Sequence, residues 1–543
     1  MTNGIMEEIL NKRGIVDVEA FLNPDYNATH HDPFLLNDMD KAVNRIFRAI
    51  ENKEKVVVYG DYDVDGMTAT AILADALPKF GLEIETYTPD RFSEGYGLNL
   101  EAIEKLAKAG IDLIITVDCG SVSVDEVAEA NKLGVDMIIT DHHAMGEKVP
   151  DAVAVINPHR KYSKYPFADL AGCGVAFKLV QALQTKLDGL ADGQEKWLLD
   201  LVALGTVCDI VPLVDENRNN SYWGLEVLKK TRRPGLRALM AIAKVDESGV
   251  SARSLGFALG PRLNAAGRLE TAKQALELLT TTNSVRALEL AHRLDVLNIE
   301  RRNEQDKIFA EAVEYIEKSG KIEKPVCIAI GENWNEGVIG IVASKLMEKY
   351  HKPTFVVAKN GSEAKASGRS FGDFNMAAAI DATRNLILKG GGHAAAGGVS
   401  LLAENIEKWQ EDIYKFYISL SLENQNKFIL AKEDIARQDF AELDIELVNE
   451  LAKMEPFGMS NERPIFKLSN MAVKFADRIG KDKNHLKMTL SDGKKSLKFI
   501  AFSSPEKWFV EPGNKIDIWV NLDINEWQGS RSVEGRILRL EVI

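Results

Sequence analysis

A chain of 543 residues, 45% hydrophobic and 27% charged, is long enough for three or more domains. It has no run of about 20 apolar residues able to span a bilayer, and its start, MTNGIMEEILNKRG, lacks the apolar core of a secretory signal, so a cytoplasmic protein without membrane attachment is expected. The net charge of −14 excludes a uniformly basic nucleic-acid binder, but from Asn426 onward basic and acidic residues balance at 19 each, so the excess acid lies in the earlier part of the chain.

Residues 1–50 read as a helical, peripheral segment in which His30 and His31 occupy a polar, Pro-bounded stretch and are expected at the surface. The four cysteines (Cys119, Cys173, Cys208, Cys327) show no CxxC spacing, which argues against a disulfide framework or a zinc ribbon. Val56 to Tyr59 is a short β-branched run that stops at Gly60, as a buried parallel strand does. Asp61, Asp63 and Asp65 follow at alternate positions, and Gly66 opens a helical pattern. The carboxylates therefore sit beyond the carboxyl end of a strand, where open α/β sheets bind ligands. Three carboxylates so close repel one another unless cations neutralise them, and hard oxygen donors favour Mg²⁺ or Mn²⁺. A calcium-binding helical loop would need a bidentate Glu at its twelfth position, where this chain has Ile72.

The pattern repeats. Asp112 to Val117 is a strand-like run ending at Asp118, and Asp136 to Thr140 is another ending at Asp141, His142 and His143. A helical run from Trp197 leads to Asp209 in the apolar setting CDIVPL. Carboxylates and an imidazole in this combination suit two divalent ions bridged by a carboxylate, which is chemistry for phosphoryl-ester hydrolysis. Cations are placed to meet phosphate: Arg91 lies in the Gly-rich turn 89–98, and Arg262, Asn264 and Arg268 lie in ALGPRLNAAGR, expected as a short loop. Residues from Thr271 to about Lys318 read as helices connecting two domains. The second domain carries SGRS, with Ser367 and Arg369, and GGGHAAAGG, whose glycines around His393 suggest an anion nest. A polar linker, SLSLENQNKF, is expected after Ile418, and five alternating runs from Phe466 onward suit a small antiparallel barrel. Basic residues between Lys474 and Lys498, with Phe475, His485 and Phe499, suggest a nucleic-acid face on it.

GDYDVDGMTAT, VDCG, DHHA, CDIVPL, GPRLNAAGR, SGRS, GGGHAAAGG and EPFGMSNERPIF, in this order, strongly resemble the RecJ-type single-strand-specific DNA exonucleases of the DHH phosphoesterase superfamily. The resemblance implies an α/β fold of two domains, DHH and DHH-associated, joined by long helices, plus a C-terminal all-β OB-fold barrel. The expected segments are 1–50 helical, 51–215 catalytic core, 216–320 helical, 321–420 DHH-associated and 425–543 OB-fold. It implies two Mn²⁺ or Mg²⁺ ions on Asp63, Asp65, Asp118, His142 and Asp209, with Asp118 bridging. His143 would contact or protonate the scissile phosphate, with Asp61 and Asp141 accessory, and Arg91, Arg262, Ser367 and Arg369 would contact DNA and its 5′-phosphate. Many relatives have a His near Tyr59, so the second ion is expected to be held more weakly, or partly by Asp61 or substrate. Hydrolysis from 5′ to 3′ in recombination and repair follows, in a monomer acting on single-stranded DNA beside a single-strand-binding protein and a RecQ-type helicase. A small-substrate relative cleaving short oligonucleotides, cyclic dinucleotides or pyrophosphate would lack the barrel, and a non-catalytic DNA-binding subunit would have lost the ligands present here.

Overall fold

The computed structural model describes residues 4–91, 94, 95, 97–420, 432–480 and 483–543. Its first sheet consists of β1 (Val56–Gly60), β2 (Ile84–Tyr87), β3 (Leu113–Val117), β4 (Asp136–Thr140) and β5 (Ala154–Ile156), all parallel, in the order β2-β1-β3-β4-β5. The strands are apolar on both faces because helices cover both: Val56 and Val58 enter one core, Val57 and Tyr59 the other. The order reverses between β1 and β3, so connections leaving these two strands diverge and open a crevice at their carboxyl ends. The helix Val64–Ala76, nearly all of it buried, lies against the helices Gly172–Gln184 and Leu199–Asp209.

The amino-terminal segment is helical but not peripheral. Ile5, Met6, Ile9 and Leu10 of the first helix are buried in the core of the carboxy-terminal barrel, and Arg13 pairs with Asp434 at 2.8 Å. Met39, Val43 and Ile46 enter the core of the first domain instead. His30 and His31, expected at the surface, are half-buried: His30 Nε2 lies 2.8 Å from Asn220 Oδ1 and His31 Nε2 lies 2.8 Å from Asp215 Oδ1. The stretch ALGPRLNAAGR is not a loop. Most of it forms the helix Gly260–Leu269, which continues directly from a π turn at Leu255–Leu259, with Pro261 just beyond that turn.

The helices Lys273–Thr280 and Ser284–Lys318 follow. The second has 35 residues and serves two cores: Leu290, Leu294 and Leu297 pack in the first domain, and Ile308, Ala312 and Ile316 pack against the second. That second domain is built on β6 (Cys327–Glu332), β7 (Thr354–Asn360), β8 (Glu363–Arg369), β9 (Ile387–Gly392) and β10 (Ala396–Leu402), in the order β6-β7-β8-β10-β9. GGGHAAAGG is a β9–β10 hairpin rather than an anion nest. No glycine in it has positive φ, and what requires Gly392 is proximity, since a Cβ there would lie 2.3 Å from the Ala396 carbonyl oxygen. The expected linker at 419–428 falls outside the described residues from 421 on.

The carboxy-terminal sheet contains β11 (Ile435–Arg437), β12 (Phe466–Ile479), β13 (His485–Ser491), β14 (Ser496–Ala501), β15 (Lys515–Trp527) and β16 (Ser530–Val542). Pairing of β12 with β15 closes β12 to β16 into a five-stranded barrel. Lys474, Phe475, Lys487 and Lys498 are exposed on it, whereas Phe499, expected on the same face, is fully buried in the barrel core. No described helix is long and apolar enough to cross a membrane.

Candidate metal centre

The crevice between β1 and β3 gathers most of the acidic positions read from the sequence. Asp63 caps the helix Val64–Ala76, accepting from the Asp65 and Gly66 N–H groups at 2.9 and 3.1 Å. Asp65, in the first turn, accepts from the Gly172 and Cys173 N–H groups at 2.6 and 2.9 Å, so a second helix N-terminus holds it in place. Asp118 follows β3 with φ of 60°, and a Cβ on Gly172 would come within 2.7 Å of its Oδ1. Glycine there is the space that the carboxylate occupies.

Three groups of potential ligand atoms lie within 4.8 Å of one another: Asp61 with Asp63 and Asp118, Asp65 with His142 and Asp209, and Asp118 with His142 and His143. His142 Nε2 is 3.1 Å from Asp118 Oδ1, 3.6 Å from Asp209 Oδ2 and 3.7 Å from Asp65 Oδ2. Asp61 Oδ1, Asp118 Oδ1 and His142 Nε2 are buried with no hydrogen-bond partner. Burial, reinforced by neighbouring carboxylates, raises the pKa values of Asp61, Asp63 and Asp118, and moves Asp209 up to about 8. Asp209 also ends the helix Leu199–Asp209, where the backbone dipole is negative and a carboxylate is disfavoured. Orphaned ligand atoms, mutual repulsion and all-oxygen/imidazole donors fit hard divalent cations.

Asp141 is arranged differently. Its Oδ1 accepts from the His142 and His143 N–H groups and lies 2.8 Å from His143 Nδ1, while its Oδ2 accepts from the Ser121 N–H. Burial alone would raise its carboxyl pKa, but the His143 imidazolium holds it well below the usual range. Burial opposes the charge on His143 in turn, and Asp141 overrides it, pushing His143 up to about 9. Tyr59 faces away from the carboxylates, donating to the Gly97 carbonyl at 3.0 Å and stacking on Tyr87 in the core on the other side of the sheet.

Guanidiniums face the carboxylates. Arg91 lies over the Tyr62 ring at 5.1 Å. Arg268 is half-buried, and its pKa is moved down to about 10 by desolvation and then by Arg91 and Arg301. Arg369 donates to Ser367 Oγ at 3.3 Å and to the Gly368 carbonyl at 2.8 Å, and both side chains sit close against Gly340 at the start of the helix Ile339–Tyr350. Asn264 lines the adjoining cavity. Arg262 is not part of this group: it pairs with Asp295 at 2.9 Å and donates to the Ala258 carbonyl. His393 is exposed on its hairpin turn, its N–H donating to the Ala396 carbonyl at 2.8 Å. Tyr62, whose ring carries Arg91, lies inside GDYDVDG but is easily passed over between its aspartates, and no motif marks Arg301, which looks like any charged residue in a long helix.

A doubly wound sheet with paired carboxylates and imidazoles at its switch point, faced by guanidiniums, defines a metal-dependent phosphoesterase. The DHH family N-terminal domain matches residues 55–206, the DHHA1 domain 323–418 and the RecJ OB domain 436–538. The single-stranded-DNA-specific exonuclease RecJ of Bacillus subtilis is 37% identical over 97% of this chain, which spans 66% of that protein's length. The exonuclease of the same name from Salmonella typhimurium is 35% identical, covering 92% of this chain and 89% of its own. The crystal structure of Thermus thermophilus RecJ in complex with Mn²⁺ superposes with a TM-score of 0.84 at 26% identity, covering 99% of this chain and 76% of that one. The chain belongs to the RecJ family of DHH phosphoesterases.

Proposed function

We propose that the protein is a single-stranded-DNA-specific exonuclease that hydrolyses phosphodiester bonds from 5′ to 3′. The observation that carries this reading is the carboxylate and imidazole cluster facing a guanidinium wall, beside a barrel that closes one side of the adjoining cavity. Asp63, Asp65, Asp118, His142 and Asp209 would hold two Mn²⁺ or Mg²⁺ ions, with Asp118 shared and Asp61 completing the set around Asp63. When bound, the ions supply Lewis-acid activation of water and stabilisation of charge on the phosphate. The chain's own groups do the rest. Asp141 fixes His143 through Nδ1, so that the other ring nitrogen is left to hold a proton toward the scissile phosphate. Arg91, Arg268, Ser367 and Arg369 would receive the terminal phosphate and set the strand's direction. Contacts to backbone phosphate leave sequence unread. On this reading the protein works in the cytoplasm as a monomer in recombination and repair, with a single-strand-binding protein and a RecQ-type helicase as partners.

Substrate competition tests the reading against a small-substrate phosphoesterase. With Mn²⁺, a long single strand should be degraded while blunt duplex is spared. Rapid turnover of dinucleotides with long strands left intact would overturn the assignment.

A further inference from the structure

The cavity of about 660 Å³ beside the carboxylates runs from Cys208 and Arg268 to the barrel. Its lining is largely apolar, yet its mouth is cationic. Phe257 stands at this mouth with 79% of its surface exposed. A stretch of π-helix, Leu255–Leu259, puts it there, turning Leu255 and Leu259 inward and Phe257 outward, and single π turns recur at functional sites. Arg253 lies 5.5 Å from the Phe257 ring centroid. Arg536, from β16 across the cavity, lies 5.4 Å from the Phe502 ring. Neither Arg253 nor Arg536 forms an ion pair among the described residues, and burial, followed by the nearby Arg253, disfavours the charge on Arg536. An exposed aromatic ring with one unpaired guanidinium beside it and a second on the same cavity's lining complements a ligand that is both flat and anionic, which is the chemistry of a nucleotide.

We infer that Phe257 is a stacking platform for one base of the incoming strand, flanked by Arg253 and Arg536 on the neighbouring phosphates, making this cavity a nucleotide subsite beyond the scissile bond. The inference rests on the single-strand reading above and deepens it. A base within a duplex has both faces covered by its neighbours, so this platform accepts only a base that has left the stack. It therefore adds selectivity for single strands without reading sequence.

The test uses the full chain and compares wild type with Phe257→Ala and Phe257→Trp. Binding of a long 5′-phosphorylated single strand is measured in EDTA, with a single abasic position moved along the strand, and cleavage of a 5′-phosphorylated dinucleotide is measured with Mn²⁺. Phe257→Ala should weaken binding of the long strand by about tenfold, the size of one lost base stack, and Phe257→Trp should retain it. One abasic position should weaken wild-type binding by the same factor and have no further effect in Phe257→Ala. Dinucleotide cleavage, which draws on fewer nucleotide contacts, should fall by less than long-strand binding does. Wild-type affinity in Phe257→Ala overturns the inference, as does a loss that no abasic position reproduces. Failure of the wild type itself to bind or cleave single strands refutes the underlying function and takes the subsite with it.

Discussion

Asp209→Asn should stabilise the metal-free protein, although it removes a proposed metal ligand. Asp209 is pushed up to about 8 by burial and by Asp65 and Asp63, against an unfolded carboxyl near 4. A raised folded-state value means that its contribution is most favourable below about pH 4 and is lost as pH rises toward 8. At pH 7 the unfolded carboxyl has gained the free energy of ionisation and the folded one has not, a difference of ~4 kcal/mol at 1.36 kcal/mol per unit. The side chain is 24% exposed, so rotation toward water recovers part of this and leaves about 2 kcal/mol. For a domain of this size that corresponds to roughly 4–8 °C in Tm. Thermal unfolding should be followed in EDTA from pH 5 to 8.5, then repeated with Mn²⁺. The wild type should lose stability with rising pH, Asp209→Asn should lose less and melt higher at pH 8, and Mn²⁺ should raise the wild type more than the variant. A variant that melts lower than wild type at pH 8 in EDTA would refute the account of charge repulsion at this site.

Asp118→Ala, which removes the carboxylate shared by two of the ligand groups, should abolish hydrolysis while leaving binding of single-stranded DNA within about twofold in EDTA, as filter binding would show. Asp141→Asn keeps an acceptor for His143 but removes its counter-charge, so the alkaline limb of kcat/KM should move down by about one pH unit, with activity at pH 6 largely kept. A full pH–rate profile reads this, and an unmoved limb would dissociate His143 from the profile. Gly172→Ala puts a methyl group 2.7 Å from Asp118 Oδ1 and should weaken Mn²⁺ binding about tenfold, measured by calorimetry, without unfolding the domain.

The parts that could be read from the sequence are those in which one residue type at a strand end carries the information. Asp61, Asp63, Asp65, Asp118 and the Asp141 to His143 triplet all follow apolar runs whose shortness and β-branching mark them as buried strands, and the β2-β1-β3-β4-β5 order then brings them together. What was hidden depends on contacts between distant segments. ALGPRLNAAGR has the Gly and Pro of a turn, but burial of Leu263, Ala265 and Ala266 makes it helical, and the π turn before it accommodates Pro261. The glycines of GGGHAAAGG imply loop freedom by composition, yet they serve close strand packing. His30 and His31 read as polar surface until Asn220 and Asp215, nearly 200 residues away, meet them. Arg262 matches the charge of a phosphate ligand, and only the fold shows that Asp295 already neutralises it.

The central claim is metal-dependent cutting that proceeds from the 5′ end of a single strand. A 5′-phosphorylated single-stranded oligonucleotide, labelled in turn at each end and incubated with Mn²⁺, tests it most directly. Early release of the 5′ label as mononucleotide, with the 3′ label retained on progressively shorter strands and no release in EDTA, is the predicted result. Early release of the 3′ label, or release at an equal rate in EDTA, would contradict it.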